Sequence, residues 1–243
     1  MRPLPLLALP LLALPLLAAL VLALGAVSAP ARAQAPPPVS DAEVTRGDPS
    51  APNIALVFNV GAGYEPATSI LGTLADKQLR ATFFVMGWWA ERHPDVLRQI
   101  ADGGHEIASH GYKIADLTRA TDDDVRSDLL AGDTAISAVT GRTTRPLWSP
   151  SAGYRDARVR AIAASLGYRT VVWTVDSGDW SADASAESVY SHVMGGAVNG
   201  AIIVLHFDSP TTGASTAQVL PRVVDDLRSA GYRLVTVSDL LAG

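Results

Sequence analysis

Ala201-Ile202-Ile203-Val204-Leu205-His206 is five apolar residues running without a break into a histidine. A strand with one wet face alternates apolar and polar residues, so an unbroken run of this length suits a strand covered on both faces. Covered faces call for helices on either side of the sheet, and that arrangement goes with parallel pairing. Similar runs recur at Ile54–Phe58, Ala81–Met86, Glu106–Ser109, Thr170–Val175 and Arg233–Val237, with a short one near Pro146–Trp148. Helical patterns fall between them at Pro66–Lys77, Glu91–Asp102, Asp122–Thr140, Asp156–Ser165, Ala186–Met194 and Thr216–Ala230. Pro66 suits a first helical turn and Asp122 and Ser185 suit caps. Gly103, Gly141, Gly167 and Gly231 fall where C-terminal glycines belong. About seven strand–helix units in roughly 190 residues predict an α/β fold, a distorted seven-stranded (β/α) barrel smaller than the usual eightfold one. It is expected to form one domain over residues 53–243, with no internal repeat.

Upstream of that domain the chain changes character. Arg2 precedes an apolar run from Leu4 to about Ser28, followed by the small-x-small pattern Ala31-Arg32-Ala33. Residues 1–33 therefore read as a secretory signal peptide, with an uncleaved anchor as the alternative. Pro5, Pro10 and Pro15 speak against a spanning helix, since each removes a backbone donor. Residues 34–52 read as a Pro-rich linker. The expected location is extracytoplasmic, with membrane contact only if the leader stays on. The 243-residue chain carries a net charge of -5 and only two lysines, Lys77 and Lys113, which excludes nucleic acid as a partner. It has no cysteine, so disulfides, thiolate metal sites and cysteine nucleophiles are excluded together. Gly61-Ala62-Gly63 lacks the lysine of a phosphate-binding loop, and no Gly-x-Ser-x-Gly elbow is present.

In a barrel of this kind chemistry gathers at the C-terminal ends of the strands. The polar residues there are Asn59, His110, Ser149, Asp176 with Asp179, and His206 with Asp208. Together with Ala-Thr-Phe-Phe-Val-Met-Gly at 81–87, Gly-His-Glu-Ile at 104–107, Val-Asp-Ser-Gly-Asp-Trp at 175–180 and Ile-Val-Leu-His at 203–206, they give the chain a resemblance. From Ile54 to Leu241 it resembles the polysaccharide deacetylase family (NodB-homology domain, carbohydrate esterase family 4). The resemblance implies hydrolysis of N- or O-acetyl groups on peptidoglycan or other polysaccharides. It also implies a divalent metal such as zinc, held by an aspartate and two histidines.

The chain departs from that pattern where the chemistry is. The family's T-F-D-D-G is here Val57-Phe58-Asn59-Val60-Gly61, so Asn59 stands for the general base and Val60 for the metal aspartate. His110 is kept as a vestigial ligand, but its partner's place holds Ile114, and Ser149 stands where an arginine orients the base. One histidine cannot assemble a cation site, so no bound cofactor is expected. An amide cannot accept a proton at ordinary pH. The resemblance makes His206 a general acid tuned by Asp179 and Asp176, with Leu205 beside it in the same motif. Tyr64, Trp148 and Trp180, at or just past strand ends, offer aromatic faces that suit stacking on a sugar, and with Leu205 are the candidate substrate-binding residues. The bland readings are a strand-end histidine, an Asp-Ser-Gly-Asp turn and core tryptophans. His105 reads as structural, and His93 and His192 as solvated helix residues. Lys113 either reaches into the cleft as an internal cation or is a solvated loop lysine. Three functions stay open. The chain is an exported, glycan-binding deacetylase relative without metal hydrolysis, a carbohydrate deacetylase with a variant site around His206 and Asp179, or an envelope scaffold.

Overall fold

The computed structural model describes residues 39–243. The first half of the fold runs β1 Asn53–Val60, α1 Ser69–Asp76, β2 Thr82–Val85, α2 Gly87–Arg92, α3 Pro94–Asp102, β3 Glu106–Ser109 and α4 Asp122–Thr140. The second half opens with β4 Leu147–Trp148, α5 Ala157–Ser165, β5 Arg169–Thr170 and β6 Val175–Asp176. It closes with α6 Ala186–Gly196, β7 Ile202–His206, α7 Thr216–Ser229, β8 Arg233–Val235 and α8 Val237–Ala242. Every pairing between these strands is parallel, in the order β5-β4-β3-β2-β1-β7-β6, with β8 beside the start of β1. The result is a curled α/β half-barrel of seven strands along one path, with an eighth, β8, joined to the start of β1 and helices outside.

All residues of β1 are buried, as a strand covered on both faces requires. Its side chains divide by parity. Ile54, Leu56, Phe58 and Val60 join Phe83, Val85, Ile203, Leu205 and Phe207 in an outer core under the helices. Ala55 and Val57 join Phe84, Ala108, Leu147, Ile202 and Val204 in an inner core, which Val44, Val237 and Leu240 share. The same parity carries the inner row on to Asn59 and His206, which face each other as register partners at the strand ends.

Three elements differ from the expected ones. The run Thr170–Val175 is not one strand. β5 lies at one end of the sheet order and β6 at the other, and the residues between cross from edge to edge. A segment read as linker fills that crossing. Val44 donates to the Thr170 carbonyl at 2.8 Å and accepts from Val172 at 2.9 Å, while Arg46 bridges Ala201. The helix expected over Glu91–Asp102 is two, α2 and α3, broken at His93 (φ −127, ψ 50), because the residue before Pro94 is pushed out of the helical region. The last strand stops at Val235; Thr236 then caps α8 by accepting from the Asp239 N–H. Among the described residues no helix is long and apolar enough to cross a membrane. The leader read in residues 1–33 lies outside the described residues.

Candidate functional site

A cleft of about 470 Å³ opens at the C-terminal ends of the strands, lined in part by Asn59, His110, Asp176, Trp180 and His206. Its best-supported pair is His206 with Asp179. The Asp179 carboxylate is fully buried, and its Oδ1 accepts from His206 Nδ1 at 2.7 Å. Its Oδ2 accepts the His206 backbone N–H at 2.8 Å and the Thr216 hydroxyl at 2.5 Å. With Nδ1 carrying the proton to the carboxylate, the ring turns Nε2 toward the cleft. The imidazole is thus fixed in tautomer and orientation.

His110 is 6 % exposed, and its Nδ1 donates to the Ser149 carbonyl at 2.7 Å. Burial pushes its pKa down to about 4, against a weaker opposing pull from that hydrogen bond. It is a neutral imidazole whose free Nε2 is an acceptor. Asn59 is 3 % exposed and its Oδ1 has no hydrogen-bond partner among the described residues. A neutral amide bears that at a cost of roughly 1–3 kcal/mol, far below that of an isolated buried carboxylate.

Two buried carboxylates shape the loops around these side chains. Asp208 accepts the backbone N–H groups of Gly61, Ala62 and Gly63 at 2.9, 3.1 and 2.9 Å. Gly61 is at φ +130, and a Cβ there would stand 2.7 Å from the Met86 side chain. Asp128 does the same for Tyr112, Lys113 and Ile114, at 2.8, 3.0 and 3.0 Å. Ile114 lies in the second of these loops and Val60 ends β1 just before the first, at the two positions where the resemblance implies metal ligands.

The remaining expected residues go elsewhere. Trp148 is fully buried among Val125, Leu129 and Tyr168 and does not line the cleft. Leu205 is 2 % exposed in the outer core. Both follow from strand parity, since their neighbours Leu147, Val204 and His206 take the inward positions. Tyr64 is 54 % exposed and stands outside the cleft lining. Ile114 packs toward Leu117 and Trp148. Lys113 is exposed on its loop and absent from the lining, so it is a solvated lysine and not an internal cation. Asp176 is exposed; its Oδ1 accepts from the Gly178 N–H at 2.9 Å and from Trp180 Nε1 at 3.1 Å. His105 is buried, accepting the Ala81 N–H and stacking near Phe83, and burial lowers its pKa. His192 is exposed on α6, as a solvated helix residue is, with its Nδ1 2.9 Å from the Ser177 carbonyl oxygen.

Several cleft residues escaped the sequence reading. Trp173 sat inside a run taken as one strand. Tyr154 and Ala152 follow it from the turn after β4, where Ala152 adopts a left-handed conformation at φ +49, costly for a residue with a Cβ. Only the positions of Pro150 and Gly153 hinted at a turn there. Asp128 left no signal, being one of many polar residues on α4.

The metal implied by the resemblance does not fit this donor set. Val60 and Ile114 offer hydrocarbon, and His110 offers one nitrogen. Among the described residues no group of three His, Cys, Asp or Glu side chains could hold a metal ion.

A family model for polysaccharide deacetylase matches residues 46–171. The chain is 32 % identical over 190 residues to a peptidoglycan-N-acetylglucosamine deacetylase of Bacillus cereus, covering 77 % of this chain and 87 % of that one. It is also 32 % identical over 200 residues to the uncharacterised protein YlxY of Bacillus subtilis, covering 82 % of this chain and 60 % of YlxY. Among solved structures, it is similar to BA3943, a CE4 family pseudoenzyme from Bacillus anthracis. That match has a TM-score of 0.76 at 27 % identity, covering 83 % of this chain and 69 % of BA3943.

Proposed function

The chain belongs to the polysaccharide deacetylase family, and on that premise we propose that it is an exported member that binds N-acetylated cell-envelope glycan without metal-dependent deacetylation. One observation carries the reading: two of the three positions where the family pattern has metal ligands are aliphatic, Val60 at the end of β1 and Ile114 in the loop that Asp128 holds. Loss of the base accompanies loss of the ligands, because Asn59 cannot take a proton from water. A glycan-binding role is supported by the open cleft with aromatic side chains at its rim, which offer apolar area to a sugar face. Likeness to BA3943, described as a pseudoenzyme, points the same way. Export is supported by the leader at 1–33 and by relatives named for action on peptidoglycan.

A second reading has one observation in its favour, the intact Asp179–His206 pair, which could serve as a proton donor in a metal-free hydrolysis. Acetate release and calorimetric binding, measured with the same N-acetylated chito-oligosaccharides and peptidoglycan fragments, separate the two. The expected result is binding with no acetate above background, with or without added zinc. Acetate release that disappears in His206→Ala favours the second reading. Absence of both binding and release contradicts the glycan role.

A further inference from the structure

We infer that the cleft takes an organic cation, the ammonium of a de-N-acetylated amino sugar, held by Asp176 within a wall formed by Tyr154, Trp173 and Trp180. This rests on the glycan-binding reading and adds to it a preference: within an N-acetylated glycan, a sugar that has lost its acetyl group is held more tightly in the cleft than one that keeps it. The lining contains a carboxylate, Asp176, and no lysine or arginine. The neighbouring guanidinium of Arg155 is engaged elsewhere, donating to Glu43 at 2.5 Å and to the Gly153 carbonyl at 2.9 Å. No ammonium or guanidinium in the lining therefore answers the Asp176 charge.

Asp176 is also prepared for a partner. Its Oδ1 is occupied by the Gly178 N–H and the Trp180 indole, while its Oδ2 makes no hydrogen bond among the described residues. The indole bond ties the Trp180 ring beside the carboxylate, and that ring is 56 % exposed. Trp173 packs against Gly153, where a Cβ would meet its ring at 3.3 Å, and Tyr154 follows directly, 50 % exposed. Aromatic faces beside a carboxylate attract a cation by their quadrupoles as well as by charge. An acetamide is neutral and gains nothing from the carboxylate. A free sugar ammonium gains from both, and its remaining hydrogens can meet acceptor nitrogens such as His110 Nε2. De-N-acetylation, the reaction for which the Bacillus cereus relative is named, generates such an amine. The chain would then recognise what its relatives produce.

The test uses calorimetric titration of the full chain at about pH 6, where an amine of this kind is protonated. The probes are a glucosamine tetrasaccharide, its fully N-acetylated counterpart, and choline. The expected result is at least about tenfold tighter binding of the amine oligomer, weakened by added salt. Asp176→Asn, which keeps an acceptor for Gly178 and Trp180, should reduce amine binding about tenfold and remove the preference for the amine over the acetylated oligomer. Trp180→Phe should also weaken the amine oligomer. Equal or tighter binding of the acetylated oligomer overturns the inference and leaves the glycan reading standing. An unchanged amine affinity in Asp176→Asn overturns it too. Choline bound as tightly as the amine oligomer overturns the assignment to an amino sugar. Failure of both oligomers to bind overturns the glycan reading and this inference with it.

Discussion

Asp179 is a buried charge whose acceptor sites are nearly all filled by His206 and Thr216. Charges in such places persist only when hydrogen-bonded, and removing the carboxylate leaves its donors without partners. Asp179→Asn is expected to lose roughly 2–4 kcal/mol in urea unfolding, because an amide cannot accept from all three donors at once. A loss below about 0.5 kcal/mol would mark the pair as incidental. The link from Asp179 to His206 was legible at this scale, because carboxylate and imidazole fall at the ends of neighbouring strand runs. The aim of Trp148 and Leu205 was legible in principle. Counting in twos from His206 turns Leu205 outward, and counting from Ser149 does the same for Trp148. Their residue types, aromatic and apolar beside a polar strand end, suit a sugar-binding surface equally well. Lys113 could not be read, since a loop gives no parity to count.

At the scale of elements, the strands of greatest length were the readable ones. β1 and β7 are continuous apolar runs, whereas β4, β5 and β6 are two residues each and carry no period of their own. The break at His93 was marked by Pro94. The split of Thr170–Val175 was not marked, because its cause is a distant segment, Val44–Arg46, pairing into the gap. The loop 61–63 shows how an element is made from one side chain. Its successive N–H groups point at Asp208, so the loop's shape depends on a carboxylate roughly 145 residues away in sequence. Asp208→Ala is expected to cost about 3 kcal/mol and to weaken glycan binding through the disordered cleft edge. Asp208→Asn, which keeps one acceptor, should fall between. A native-like denaturation midpoint in Asp208→Ala would show that the loop holds itself.

For the whole molecule, the sequence carried the α/β class and the family, because both depend on many positions at once. Function rests on few positions, and there the family's frame and the chain's chemistry part company. The frame is intact: parallel strands bring Asn59, His110, Asp176 and His206 to one cleft, and Asp128 and Asp208 keep its loops in place. Where the family pattern implies two metal ligands and a base, the frame presents the hydrocarbon of Val60 and Ile114 and the amide of Asn59. The most direct test is the metal content of the purified full chain after equilibration with zinc and removal of excess. The account predicts no stoichiometric zinc, and no change in Asn59 or His110 variants. Stoichiometric zinc that is lost in His110→Ala would contradict it and return the chain to metal-dependent hydrolysis.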